Sequence, residues 1–125
     1  MSAFFLFPGQ GSQRPGMGKD FYEASAAARE VFEAAARQSP DGFLDLIFAG
    51  EQEALNDTNV AQPALLTVEI AIVKHLESLG IRPTGCAGHS LGEIPALVAA
   101  GAVAFEDALA FTRERARLMS ENVPE

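Results

Sequence analysis

Ser90 is the residue best placed for chemistry, because glycines stand two positions before and two positions after it in the segment GHSLGE, residues 88–93. An apolar stretch at residues 84–87 precedes the segment, and a helix-like run at residues 94–100 follows it. A strand, a Gly-flanked turn, a serine and a helix form a nucleophile elbow, which leaves the serine hydroxyl clear at the tip of the turn. The following helix directs free N–H groups toward that hydroxyl, so the Leu91 N–H is placed to bind an oxyanion.

The same segment could instead be a helix start in which Ser90 has a structural role and no chemical one. Ser90 and Glu93 have the S-x-x-E spacing of a capping box at the start of a helix. The elbow explanation predicts Ser90 at a strand-to-helix turn, in a strained or sparsely populated backbone conformation. Pro95 predicts a short or bent first turn in that helix, because it removes the usual i+4 donor of the Leu91 carbonyl.

A second glycine-rich motif, FPGQGSQ at residues 7–13, follows the apolar run at residues 3–6. In open α/β sheets, ligands collect beyond the carboxyl ends of the strands. If the two strands are parallel neighbours, Gln10 and Ser90 lie at the same edge and approach each other across one cleft. Taken alone, this motif is also consistent with an ordinary Gly-rich turn from a strand to a helix.

Together these motifs resemble the amino-terminal signature of acyl-CoA:acyl-carrier-protein transacylases. The similarity is greatest to free-standing malonyl-CoA:acyl-carrier-protein transacylases of fatty acid synthesis, and it covers essentially the whole chain. The motifs that carry it are, in chain order, FPGQGSQ at residues 7–13, GMG at 16–18, QPAL at 62–65, GHSLGE at 88–93, and the stretch from Arg115 through Met119 to VPE at 123–125.

The resemblance implies an α/β fold, namely a parallel-sheet, α/β-hydrolase-like acyltransferase core with three layers and a nucleophile elbow. Alternating strand and helix patterns along the chain agree with that class. Residues 1–125 would form the amino-terminal part of the large acyltransferase subdomain. The family's ferredoxin-like subdomain, its carboxyl-terminal part and its general-base histidine would lie beyond residue 125, so we expect little or no turnover from this chain alone.

The resemblance also implies a reaction, which is transfer of a malonyl group from malonyl-CoA to the phosphopantetheine thiol of acyl carrier protein, in fatty acid or polyketide synthesis. No metal and no bound cofactor is implied, since coenzyme A is part of the substrate and phosphopantetheine belongs to the acceptor. The implied site residues are Ser90 as the nucleophile, Gln10 and Leu91 as the oxyanion hole, and Arg115, His89 and Gln62 as substrate-binding residues.

Helical periodicity predicts the elements that position these residues. The expected elements are one helix over residues 20–38, a helical turn over 44–48, a surface loop over 51–59, a central helix over 63–79 that begins at Pro63, and a last helix over 105–119. The central helix is apolar nearly all round, which makes Glu69 unusual there. Glu69 is either paired or facing a cleft, and we expect it to be paired. His75 is expected to be solvated.

Arg115 is the other charge in an apolar position. At about 100° per residue it falls inside the apolar arc of the last helix, whereas Arg113 and Arg117 fall on the solvated side. A buried guanidinium needs partners for its charge and its five donors. An ion pair with Glu69 or Glu93 would supply them, and so would a bound substrate carboxylate. The resemblance favours the carboxylate, because the family's arginine at this motif position binds the malonyl carboxylate.

Charge, hydropathy and cysteine content limit the binding partners and the location that the sequence supports. The net charge of −8 argues against nucleic acid, and the longest apolar stretch, residues 94–105, is shorter than the ~18 residues of a membrane span. The single cysteine, Cys86, cannot form an internal disulfide, which suits a cytoplasmic protein. The central helix is apolar nearly all round, so other elements must bury each of its sides. We therefore also expect association with a complementary carboxyl-terminal fragment or a second copy.

Three alternatives to the transacylase prediction stay open at this point. A thioesterase of the α/β-hydrolase type would share the elbow, although Arg115 on an inner face suits a diacid acyl group better. The malonyl transferase subunit of a malonate decarboxylase would use the same residues with a different carrier. The third alternative is a fragment that is inactive alone and has a function only together with the rest of its polypeptide.

Overall fold

The structure is a computed structural model that describes residues 2–122, so the VPE motif at residues 123–125 lies outside the described residues. Two strands and a series of helices follow one another along this part of the chain. In order they are β1 (Phe4–Phe7), α1 (Lys19–Ala24), α2 (Ala26–Arg37), α3 (Phe43–Ala49), α4 (Gln52–Leu55), α5 (Thr58–Ser78), β2 (Gly85–Gly88), a 3₁₀ turn (Ser90–Gly92), α6 (Glu93–Ala99) and α7 (Phe105–Asn122).

The two strands bring the glycine-rich motifs to one edge. β1 and β2 pair in parallel, with Phe4 opposite Gly85 and Phe7 opposite Gly88. Because parallel strands end at the same edge, the loop that contains Gln10 lies beside the elbow that contains Ser90. The predicted parallel neighbours are therefore confirmed. Residues Phe5 and Phe7 face the core, whereas Phe4 and Leu6 are 73% and 76% exposed on the opposite face.

The central helix is α5, which packs against α2, α6 and α7. Its apolar character is confirmed, since most residues between Ala61 and Val73 are buried. The predicted start at Pro63 is wrong, because the helix begins at Thr58 and Pro63 lies inside it. Asp57 sets the earlier start, since its carboxylate accepts the Asn59 N–H at 2.9 Å.

Two other expectations fail for related reasons. Residues 51–59 are not a surface loop, because Leu55 is fully buried and α4 and the first turn of α5 occupy this stretch.

Residues 20–38 are not one helix, because Ser25 has an extended backbone and its hydroxyl accepts the Ala28 N–H at 3.2 Å as the cap of α2. Ser25 also lies 2.9 Å from Nδ1 of His75, which is therefore half-buried rather than solvated.

The last helix matches its predicted pattern in part. Arg117 lies on the exposed side, where it pairs with Glu114 and Glu121 as expected of a solvated arginine. Arg113 was also expected on the solvated side, but it is half-buried. Its guanidinium lies 5.1 Å from the centre of the Phe43 ring and donates a hydrogen bond to the Ser39 hydroxyl. The predicted apolar arc is only partly buried. Its buried members are Ala108, Leu109, Thr112 and Ala116, whereas Phe111, Leu118 and Met119 are exposed.

Glu69 lies in a groove of about 460 Å³ between β1 and α5, and it is the only charged residue among the described residues that line it. Both carboxylate oxygens are buried and have no hydrogen-bond partner among the described residues. The expected pairing of Glu69 is therefore wrong, and the cleft alternative is correct. Burial raises the pKa of this carboxyl from 4.5 to about 8, because nothing nearby compensates for the lost hydration of the charged form.

The elbow depends on two close backbone contacts. A Cβ atom on Gly88 would overlap the backbone of Gly92, and one on Gly92 would overlap the Phe7 carbonyl. Ser90 has a φ of 54°, which makes it the only non-glycine residue with positive φ in residues 2–122. The predicted strain at Ser90 is confirmed, and so is the bent start of α6, since a 3₁₀ turn precedes it. No capping bond from the Ser90 or Glu93 side chain forms at this helix start.

We predict that Gly92→Ala lowers the free energy of unfolding by about 3 kcal/mol or more, because the new methyl group pushes β1 away from the elbow. Gly101→Ala is the matched control. It lies in open space and has a φ of +81°, so only the left-handed backbone is penalised, at about 1–2 kcal/mol. Urea unfolding of both variants measures the difference, and equal losses would show that the Gly92 contact does not constrain the elbow.

We predict that the unpaired carboxyl makes stability depend on pH. The folded-state pKa of Glu69 lies above its unfolded value, so the folded protein holds the extra proton between the two values and stability falls as the pH rises through that range. Glu69→Gln should remove this dependence, which amounts to at most ~1.4 kcal/mol per pH unit. Urea unfolding from about pH 5 to about pH 8 tests it, with Glu53→Gln on the exposed side of α4 as the control. Parallel curves for wild type and Glu69→Gln would contradict the assignment.

Candidate active site

Ser90 stands at the tip of the elbow, between the end of β2 and the 3₁₀ turn, and its side chain is exposed. The turn is closed by the Gly92 N–H, which donates to the His89 carbonyl at 2.9 Å. Leu91 has a buried side chain, and within residues 2–122 its N–H donates to no protein acceptor. A free N–H beside an exposed serine hydroxyl is suited to binding an oxyanion that forms on a group bonded to Ser90.

Arg115 contacts Ser90 directly. Its Nη2 donates to the Ser90 hydroxyl oxygen at 3.2 Å, and its Nη1 donates to the Gln62 side-chain oxygen at 2.7 Å. Within the described part of the chain it forms no ion pair, either with Glu69 or with Glu93. The ion-pair alternative for Arg115 is therefore wrong, and a half-buried cation without a carboxylate partner stands beside the serine hydroxyl.

Gln62 lies beneath Arg115 rather than at the surface of the cleft, since its side chain is fully buried. Its oxygen accepts from Arg115, and its nitrogen donates to the Thr58 hydroxyl at 2.8 Å and to the Met119 sulfur at 3.4 Å. A guanidinium can only donate, so the amide orientation of Gln62 is fixed by Arg115. The predicted substrate contact of Gln62 stays a prediction, and in the structure the Gln62 oxygen contacts Arg115.

Gln10 follows β1 and is exposed. Its side-chain oxygen accepts a hydrogen bond from the Thr58 hydroxyl at 2.9 Å. The loop lies close to the elbow, because a Cβ atom on Gly9 would stand 2.9 Å from the His89 carbonyl oxygen. Gln10 and Ser90 are therefore at the same edge, and hydrogen bonds through Thr58, Gln62 and Arg115 connect their side chains.

Neither histidine of the chain is placed to deprotonate Ser90. His89 is exposed and next to the serine, and His75 is on α5, where it packs against the Phe21 ring at 5.3 Å between ring centres. No hydrogen bond joins the Ser90 hydroxyl to either imidazole among the described residues. The structure thus places an exposed serine hydroxyl beside a cation, and within residues 2–122 neither imidazole is hydrogen-bonded to that hydroxyl.

Two residues of this network were not predicted from the sequence. Thr58 falls in the stretch that we expected to be a loop, and Met119 was named only in the stretch after Arg115 that carries the family resemblance, without a role in the site. The signal for Thr58 is its spacing from Gln62, because residues four apart lie on one face of a helix. That signal becomes visible only when α5 is known to begin at Thr58.

Other kinds of site find less support in residues 2–122. No group of three His, Cys, Asp or Glu side chains in that range is arranged to hold a metal ion. None of the described helices is both long and apolar enough to cross a membrane. Cys86 is partly buried and unpaired, and burial raises the pKa of its thiol, which keeps it protonated and weakly reactive.

Comparisons with known proteins agree with one another. The family profile described as "acyl transferase domain" matches residues 4–125. The malonyl CoA-acyl carrier protein transacylase of Bacillus subtilis (strain 168) is 51% identical over 120 residues, which make up 96% of this chain and 38% of that protein. The crystal structure of the malonyl CoA-acyl carrier protein transacylase from Clostridium perfringens has a TM-score of 0.93 at 37% identity, covering 100% of this chain and 40% of that one.

A third similar structure is a malonyl-transacylase in complex with a type II PKS acyl-carrier protein, with a TM-score of 0.92 and 39% identity over 100% of this chain and 41% of that chain. The chain thus spans 38% of the length of the Bacillus subtilis protein that it matches. The predicted α/β class with a parallel sheet is confirmed by these structural neighbours. Because the family profile matches nearly every residue, from β1 through the elbow to α7, the chain belongs to the acyl transferase domain family.

Proposed function

We propose that this chain provides the acyl-binding part of an enzyme that transfers a malonyl group from malonyl-CoA to the phosphopantetheine thiol of an acyl carrier protein. The observation that carries the proposal is the position of Arg115, whose Nη2 lies 3.2 Å from the Ser90 hydroxyl. A nucleophile beside an unpaired guanidinium suits an acyl group that has its own carboxylate. Such an acyl group is malonyl, in which one carboxyl group is the thioester and the other is free.

The proposed reaction has two steps. The Ser90 oxygen attacks the thioester carbonyl, its proton passes to a base, and the coenzyme A thiolate leaves as the malonyl ester of Ser90 forms. The thiol of the carrier then attacks that ester and restores the serine hydroxyl. In both steps the carbonyl oxygen becomes an oxyanion, for which the Leu91 N–H is the proposed donor, with a contribution from Gln10.

Arg115 has a proposed role in timing as well as in selection. In the structure its Nη2 donates to the Ser90 oxygen, so one lone pair of the nucleophile is occupied. A malonyl carboxylate is a stronger acceptor than a hydroxyl, so the guanidinium turns toward it and releases that lone pair for attack. Gln62 keeps its bond to Nη1 and holds the arginine in place meanwhile.

The general base, the partners and the location complete the proposal. We infer that the base comes from outside residues 2–122, as the family resemblance implies, so residues 1–125 alone react slowly. Residues 1–125 are proposed to be the amino-terminal part of the large subdomain.

The exposed apolar side chains of Phe4, Leu6 and Phe111 support association with a complementary carboxyl-terminal fragment or with a second copy. The one free cysteine supports a cytoplasmic location.

We predict that Arg115→Ala lowers the malonyl labelling of Ser90 by about tenfold or more, since hydrogen bonds to charged groups are worth about 1.5–3 kcal/mol. Acetyl labelling should change little, because acetyl has no carboxylate to bind. Intact-mass spectrometry after incubation with malonyl-CoA or acetyl-CoA measures both. The missing base slows the two reactions equally, so their ratio is the readout.

The controls for this experiment separate the alternatives. Ser90→Ala should take no label from either thioester, and Arg115→Lys should recover only part of the preference, because an ammonium cannot bind a carboxylate with two parallel bonds. Addition of a carrier protein to the labelled chain should yield malonyl carrier, whereas a thioesterase would release free malonate. Equal losses of malonyl and acetyl labelling in Arg115→Ala would mean that Arg115 does not select the acyl group.

A further inference from the structure

We propose that Thr58 is a positioning residue that couples the two halves of the site, Arg115 and Gln10, through its hydroxyl group. The inference rests on the proposed malonyl transfer, since it assigns the residue that fixes the selecting arginine. Thr58 is the first residue of α5 and is half-buried. It contacts neither Ser90 nor Arg115 through a hydrogen bond, so its influence passes through Gln62.

A continuous series of hydrogen bonds carries the proposal. Thr58 Oγ1 donates to the Gln10 side-chain oxygen at 2.9 Å and accepts from the Gln62 nitrogen at 2.8 Å. The Gln62 oxygen accepts from Arg115 at 2.7 Å, and Arg115 donates to Ser90 at 3.2 Å. One hydroxyl group therefore joins the loop after β1 to the buried amide that holds the arginine.

The directions of the bonds that Gln62 makes with Arg115 and Thr58 are fixed by the chemistry of the guanidinium. The guanidinium only donates, so Gln62 must present its oxygen to Arg115 and its NH₂ group to Thr58. The Thr58 oxygen then accepts, and its single proton remains for Gln10. A reversed Gln62 amide would place its NH₂ group against the guanidinium, where neither group can accept a hydrogen bond.

Removal of the hydroxyl has consequences at both ends. Gln62 is fully buried, so an NH₂ group that loses the Thr58 oxygen cannot turn to solvent for a replacement, and its other partner is the weak acceptor sulfur of Met119. The amide then shifts or turns to find an acceptor, and the guanidinium of Arg115 moves with it. At the other end, the exposed side chain of Gln10 loses a donor that water replaces.

These unequal consequences predict a change of selectivity rather than a general loss. The effect on Gln62 reaches Arg115, which malonyl requires and acetyl does not. The effect on Gln10 is small and is shared by the two acyl groups. Thr58→Val, which keeps the branched shape and deletes the hydroxyl, should therefore lower malonyl labelling of Ser90 more than acetyl labelling. We expect the ratio to fall about tenfold, the size of one buried hydrogen bond.

The experiment compares wild type with Thr58→Val, Thr58→Ser and Thr67→Val. Thr58→Ser keeps the hydroxyl and should restore the malonyl-to-acetyl ratio to within about threefold of wild type. Thr67→Val is the matched control, because Thr67 lies on the same helix and its hydroxyl donates to the Pro63 carbonyl at 2.8 Å, outside the series. It should lower thermal stability and leave the ratio unchanged.

A second readout does not require any reaction. Nitrogen-15 NMR of the side-chain amide of Gln62 and the guanidinium of Arg115 should show both groups shifted in Thr58→Val and returned in Thr58→Ser. Unchanged resonances in Thr58→Val overturn the proposal, as does an unchanged labelling ratio or a Thr58→Ser variant that behaves like Thr58→Val. A wild type that takes acetyl label but no malonyl label contradicts the proposed malonyl transfer, whereas no label from either thioester follows from the missing base. In both cases the resonances alone decide whether Thr58 positions Arg115.

Discussion

The contact between the end of β1 and the elbow is the constraint on which the site depends. Gly92 lies so close to the Phe7 carbonyl that no side chain fits between them, and the parallel register places Phe7 opposite Gly88. With the two strands fixed in this way, Ser90 can have a positive φ only because the backbone on either side of it is held. The strain at the serine is thus maintained by the pairing of residues far apart in sequence.

A second set of constraints comes from the buried face of α5. Gln62 lies among apolar side chains of that helix, where each of its polar atoms needs a partner. Thr58 and Arg115 provide those partners from the start of the same helix and from α7. The requirement to satisfy one buried amide therefore also fixes a charged group beside the Ser90 hydroxyl, which links the packing of the fold to the geometry of the candidate site.

Glu69 shows the opposite outcome on the same helix. It lies in an apolar groove without a partner among the described residues, and burial raises its pKa to about 8. The exposed face of Phe4 and Leu6 belongs to the same strand that lines this groove. The groove next to β1 therefore holds a buried carboxyl group whose two oxygens lack partners among the described residues, whereas the buried amide of Gln62 has partners for both its oxygen and its nitrogen.

The sequence by itself determined the local features of this protein: the elbow with its bent helix start, the parallel α/β class and the apolar central helix. These follow from glycine spacing, proline position and hydrophobic periodicity, which act over a few residues. Only the tertiary structure decided which buried polar groups meet. It paired Arg115 with Gln62 rather than with a carboxylate, left Glu69 alone, and brought Thr58 into the site. Such partners come from different elements, and no short-range pattern encodes the distance between them.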